Sequence, residues 1–343
     1  MKTNKLHFHL LLVALAFLFS CGSDEELPKG DYESGVLILN EGNFESVNAS
    51  VSHYNPSDQT VSNNIFHTVT SATLGDVAQS IYVNNDQAFV VVNNSDKVEV
   101  ANAHTFETEF TIDALLPRYI TVYDGKGYLS EWVSFTDAGR VSVVNLSNGS
   151  IESSITVGFG AENIIEANGK IFVSNNFETT VSVIDPVSKS VSTTIGVGSS
   201  PGQMVLDNSG MIWLVCGGGW QQNDGALYRI DPANNSVVTT IELEINVPTK
   251  IAINSSGQTL YYMAGTSVYS LGTAETTKPA SSFVEISSAT SLYGIGVDPS
   301  SGDVYIGDSK GFQGNGSVYR YSSDGTSIDE FSVGIGPNSF AFK

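Results

Sequence analysis

Apolar residues in this chain fall mostly in short alternating runs of Val, Ile, Thr, Tyr and Phe, separated by Asn, Asp, Gly, Ser and Pro. A period of two with frequent turn residues is a strand-and-hairpin pattern. The segment at 170–198, KIFVSNNFETTVSVIDPVSKSVSTTIGVG, runs in order through an apolar stretch, a polar loop, an alternating stretch, a turn and a second alternating stretch. The same order returns at 126–158, 211–244 and 303–334, and more weakly at 87–112 and 259–286. Further short apolar strands precede these copies, centred on Ile81, Ile120, Ile164, Met204, Ile251, Ile295 and Phe340. Their spacings of 39, 44, 40, 47, 44 and 45 residues match the roughly 40–50 residues of one four-stranded propeller blade.

The last of these strands, PNSFAFK at 337–343, has no outer strands after it, whereas Gly35 to Phe66 reads as outer strands with no inner strand before them. Joined, the two fragments complete one blade and close a ring without exposed sheet edges. The pattern therefore predicts an all-β fold, a seven-bladed β-propeller over residues 35–343 in which N- and C-terminal strands share a blade. An open solenoid would instead carry capping repeats at both ends. No helical period or linker divides the repeat region. The dipeptides Asn55-Pro56, Asp185-Pro186 and Asp231-Pro232 fall at hairpins between outer strands, and the Asp-Gly pairs at 124, 224 and 324 are turn residues as well.

Residues 1–20 have a different character. Lys2 and Lys5 precede an apolar run from Leu10 to Phe19 that is too short to span a bilayer, and the reading is a lipoprotein signal peptide. LFSC at 18–21 resembles a bacterial lipobox, which makes Cys21 the expected site of lipidation and residues 21–34 an acidic tether. Asp24, Glu25 and Glu26 beside that cysteine resemble the signal that sends lipoproteins to the outer face of the outer membrane. No second long apolar run follows, so the lipid is expected to be the only membrane attachment. Cys216, in the apolar IWLVC, then lacks a partner and reads as a buried small hydrophobe.

Charge narrows the partners. The formal net charge is −21, from 15 basic and 36 acidic residues. Removing Lys2 and Lys5 leaves 13 basic residues and a charge of −23. Such a chain repels phosphate backbones, which argues against nucleic acid.

In a propeller the loops between second and third strands, and those between blades, emerge around the axis on one face. Here they carry large rings where turn chemistry alone favours small polar residues: Phe44, Trp132, Phe135, Phe177, Trp220 and Phe312. An aromatic, amide-rich rim suits a bulky ligand with flat apolar faces and hydrogen-bonding edges, although the same rings can wedge between blades as packing. Asn40, Asn43, Asn93, Asn175 and Asn176 either turn the chain after second strands or present amides. Arg118, beside Tyr119 at an inner-strand entrance, is placed to pair an anionic ligand group or to pair internally with Glu41 or Glu131. Tyr293 stands at another inter-blade entrance. Catalysis finds little support: His53, His67 and His104 fall in outer strands or hairpins, and no GxSxG, HExxH, Walker or EF-hand pattern occurs. Neither cofactor nor metal is expected, since Glu41, Glu131 and Asp308 lack the ligand spacing of a cation site.

The segments VSVIDP and TTIGVGSSPGQM resemble the YncE-like, YVTN-repeat seven-bladed propellers over most of the chain. More narrowly, ILNEGNF, LGDVAQSIYV and VVNNSDKVEV resemble the BtuG-type cobalamin-binding surface lipoproteins. That resemblance implies a lipid-anchored protein on the cell exterior that captures cobalamin or another corrinoid and delivers it to a TonB-dependent outer-membrane transporter. A second class stays open, a non-catalytic interaction scaffold whose acidic face docks a protein or matrix polymer.

Overall fold

A computed structural model describes residues 29–343; the predicted signal peptide, Cys21 and most of the acidic tether lie outside the described residues. Among these, twenty-eight strands form seven four-stranded antiparallel sheets. Blade two spans 78–113, and blades three to seven span 117–156, 161–196, 201–242, 251–285 and 292–332, each built from consecutive strands. Blade one is mixed. Its inner strand is Pro337–Phe342, followed outward by Val36–Asn40, Ser50–Asn55 and Thr60–Ser62. Val36 stands opposite Phe342, Leu37 opposite Ala341 and Ile38 opposite Phe340. The ring is thus sealed by strands from the two halves of the chain, as the complementary fragments predicted.

All seven predicted centres, Ile81 through Phe340, lie in inner strands. Second strands such as Val36–Asn40 and Ile212–Cys216 are buried at every position, because neighbouring blades cover both of their faces. This is why they read as unbroken apolar runs. Outermost strands such as Ser190–Gly196 are largely exposed, with Val191 partly and Ile195 fully covered. The core lies between blades: Phe89, Val91, Val98 and Val100 of blade two pack with Ile120, Leu129 and Val144 of blade three. Each fully buried side chain of this size contributes roughly 1.5–3 kcal/mol.

Turn chemistry behaves as read. Asp185 Oδ1 accepts the Val187 N–H at 2.8 Å and Asp231 Oδ1 the Ala233 N–H at 2.8 Å. Asp124 and Gly125 both take positive φ, 47° and 70°, the backbone of a tight hairpin turn. Two local readings need correction. The chain leaves the sheet after Ser62 and forms a short helix at Ile65–Thr70, so Phe66 does not end a strand and His67 is helical. The cause is packing: Ile65 and Phe66 are buried in the cluster containing Leu74 and Phe106, which a continued edge strand would leave unfilled.

One irregularity recurs. Near its start the inner strand slips register against the second strand in six blades, between Ala78 and Ser80, Pro117 and Ile120, Ala161 and Ile164, Pro201 and Met204, Leu292 and Gly294, and opposite Leu39 and Asn40 in blade one. Such bulges re-aim side chains. Here they bring residues just before those six strand centres to the axis.

Candidate functional site

Those re-aimed residues, joined by Lys250 of blade six and Glu41 from the loop after Asn40, form a polar network across the axial mouth. Arg118 donates through Nε and Nη2 to the two Glu162 oxygens at 2.7 and 2.9 Å. Gln79 donates to the Tyr119 hydroxyl at 3.2 Å and to Glu162 at 3.4 Å. Lys250 of blade six reaches the same Tyr119 hydroxyl of blade three at 2.7 Å. Blades four and five intervene between these partners, so this bond crosses the axis. On the other side, Glu41 accepts from the Tyr293 hydroxyl at 2.5 Å and from Asn338 Nδ2 at 3.1 Å. Beneath the network the axial channel holds a cavity of about 230 Å³, lined by Ser80, Tyr119, Asn163, Gln203 and Phe340 among others.

Electrostatics follow from burial. The Glu41 carboxyl is held above its usual range, chiefly by desolvation, against the lowering pull of Tyr293, Asn338, Lys250 and Arg118. Burial and the Glu41 charge push the Tyr293 hydroxyl well above its usual value. For Arg118, burial works against the charge, but Glu162 overcomes it and the guanidinium stays protonated.

Aromatic surface adjoins the Arg118 side of the mouth. The Arg118 guanidinium lies 3.9 Å from the Trp132 ring centroid, a cation–π contact. Trp132, Phe135 and Phe177 form one cluster with centroid separations of 5.7, 4.7 and 6.4 Å. Phe135 is 70% exposed and Phe177 46%. Phe177 packs against Gly160, where an added Cβ would come within 2.8 Å of the ring. Next to it an open trough of about 820 Å³ runs along Asn176, Phe177, Glu178, Thr180, Ser199 and Ser200.

The other sequence-chosen residues are placed differently. Phe312 packs edge-on against Tyr293 at 5.3 Å, beside Glu41. Phe44 and Trp220 are 67% and 88% exposed and, among the described residues, pair with no other ring. Asn40 and Asn175 are fully buried, their Nδ2 atoms spent on the hydroxyls of Ser50 and Ser52, and of Thr180 and Ser182. Asn93 and Asn176 donate to the carbonyls of Pro117 and Pro201, stitching each blade to the next inner strand. Asn43 is half-buried, its N–H held by Asn48 Oδ1 at 2.7 Å. Glu131 is fully buried and binds Arg140, Ser142 and the Leu115 N–H. Arg118 does form an internal pair, but with Glu162 of the adjacent blade instead of Glu41 or Glu131.

Glu41, Glu131 and Asp308 do not converge: the Asp308 oxygens accept the N–H groups of Thr290, Ser291 and Lys310. Among the described residues, no three His, Cys, Asp or Glu side chains cluster as metal ligands. Sequence reasoning passed over Gln79, Glu162, Lys250 and Asn338. Their shared signal is a polar residue one or two places before each apolar strand centre.

Fold and mouth together define a seven-bladed β-propeller with a polar axial network flanked by clustered rings. Residues 34–336 match the family described as "Domain of unknown function (DUF5074)", and the chain belongs to that family. No curated protein matches it. Among solved structures it is similar to a quinonprotein alcohol dehydrogenase-like protein from Bacteroides thetaiotaomicron, at TM-score 0.70 and 13% identity, covering 89% of this chain and 77% of that one. A functionally unknown protein from Desulfotomaculum acetoxidans gives 0.69 at 12% identity, with 90% and 99% covered. Hydrazine synthase of Kuenenia stuttgartiensis gives 0.60 at 15%, with 76% and 88% covered. At such identities the likeness is one of fold alone.

Proposed function

We propose that this propeller is a non-catalytic binding domain that captures a small molecule with flat apolar faces at its axial mouth. Supporting this is the Trp132, Phe135 and Phe177 cluster, which gathers three rings in solvent contact beside Arg118 and Tyr119. Clustered rings offer large contact area at low entropic cost, next to polar groups that fix orientation. In this reading residues 1–20 are removed, Cys21 carries the lipid, residues 21–34 tether the 35–343 propeller to the exterior of the outer membrane, and the ligand passes to a TonB-dependent transporter. The leader, the acidic tether and the BtuG-type resemblance support that part, and they make cobalamin or another corrinoid the ligand to try.

Cyanocobalamin titrated into residues 29–343, which contain all seven sheets, is expected to quench tryptophan fluorescence saturably. Absence of binding at about tens of micromolar removes the corrinoid version. A Trp132→Ala protein that binds a confirmed ligand unchanged removes the site. A second reading, a scaffold for a protein or polymer, draws on Phe44 and Trp220, which stand apart and almost bare on the rim.

A further inference from the structure

Lys250 stands immediately before its inner strand, Ile251–Ile253, and its ammonium crosses the axis to the Tyr119 hydroxyl at 2.7 Å. That neutral group is its one side-chain partner, and it joins no ion pair among the described residues. The arginines behave otherwise: Arg118, Arg140, Arg229 and Arg320 each hold a carboxylate. An ammonium has three N–H donors, so the protein leaves Lys250 with spare ones. The side chain is half-buried, which strengthens its field relative to an exposed lysine.

Position makes this charge informative. In a chain of net charge −21, a cation with spare donors and no direct ion pair at the mouth of a walled channel draws anions to the place where the rest of the surface repels them. Glu41, the carboxylate that feels the pull of Lys250, makes its hydrogen bonds to Tyr293 and Asn338 instead. Tyr119, which Lys250 touches, is the chain neighbour of Arg118, and Arg118 stacks on Trp132. Cation and ring cluster therefore belong to one mouth.

We infer that the axial mouth selects ligands carrying an anionic oxygen group, a carboxylate, sulfonate or phosphate ester, which Lys250 holds while the ligand's flat body lies on Trp132, Phe135 and Phe177. This rests on the ring cluster being a binding platform and narrows its ligands from flat to flat and anionic. Tyr119 returns the ammonium to a defined place when the mouth is empty.

Two dyes of similar ring size separate the two ideas: anilinonaphthalene sulfonate, which is anionic, and phenylnaphthylamine, which is neutral. Fluorescence titration of residues 29–343 is expected to show the anionic dye bound about tenfold more tightly than the neutral one. Lys250→Met is expected to erase that preference while leaving the neutral dye unchanged, and Lys250→Arg to restore it. Should Lys250→Met not fold, Lys250→Gln, which keeps a donor for Tyr119, serves in its place. A preference that survives in the uncharged variant overturns the inference and leaves the ring platform standing. Failure of both dyes to bind the unsubstituted protein overturns the platform and the inference together.

Discussion

The Arg118 guanidinium stacks 3.9 Å above the Trp132 ring while clasping Glu162 of the next blade at 2.7 and 2.9 Å. One side chain thereby connects the exposed rings to the buried axial network. Both members of the ion pair are nearly inaccessible, at 9% and 6% exposure, so the pair's value lies in being complete.

Removing one partner strands a buried charge. Arg118→Ala is expected to lower unfolding free energy by about 3–5 kcal/mol. The double change Arg118→Met with Glu162→Met is expected to recover much of that loss. Denaturant unfolding of the single and double variants measures the coupling, and additive losses would show the pair is not a unit.

Glu41 gives a pH signature. Its folded-state pKa is raised, chiefly by burial, from a usual 4.5. An acid of this kind contributes its full stability below the unfolded value and loses it as pH rises through the folded one. Glu41→Gln removes that loss and still accepts from Tyr293 and Asn338. Its melting temperature relative to the parent is therefore expected to climb as pH is raised from 4.5 toward neutrality; a flat difference would contradict the assignment.

Ring closure can be trapped. Leu37 and Ala341 stand opposite each other in the shared blade, at a separation that suits a disulfide. Leu37→Cys with Ala341→Cys is expected to oxidise within one molecule, and the oxidised form to be more stable than the same protein reduced by about 4–5 kcal/mol. Non-reducing electrophoresis of the monomer reads the bond, and only intermolecular dimers would argue against closure.

Phe177 and Trp220 separate the two readings of the rim. Phe177→Ala breaks a 4.7 Å ring contact and is expected to weaken flat-ligand binding about tenfold. Trp220→Ala, at a side chain 88% exposed, is expected to change stability by less than about 0.5 kcal/mol and to leave that binding intact. Equal losses would shift the site toward a broad docking face.

Cys216 reports on global unfolding. Burial pushes its thiol up to about 12, and the thiolate is the reactive form. In residues 29–343 an alkylating reagent at mildly basic pH is expected to leave it unmodified until denaturant opens blade five, as intact-mass spectrometry will show.

Blade architecture was legible because it depends on local alternation. The centres from Ile81 to Phe340 announce themselves by apolar neighbours, and Asp185 and Asp231 by the prolines that follow them. The mouth was harder to read. Glu162 meets Arg118 across a blade boundary, and Lys250 meets Tyr119 across the axis, relations that no local window contains. Asn40 and Asn175 show the converse: amides at loop entrances suggested a ligand, yet second-strand ends are buried and their amides hold the frame. Phe66 was misread because a helix of one or two turns, Ile65–Thr70, is too short to impose a period.

The bulges near the inner-strand starts separate what builds the wheel from what faces its hub. Strand pairing beyond each slip is carried by main-chain groups and apolar side chains, so the ladder of a blade does not depend on which side chain its slipped residue carries. The lining of the hub can therefore differ from spoke to spoke on one and the same wheel.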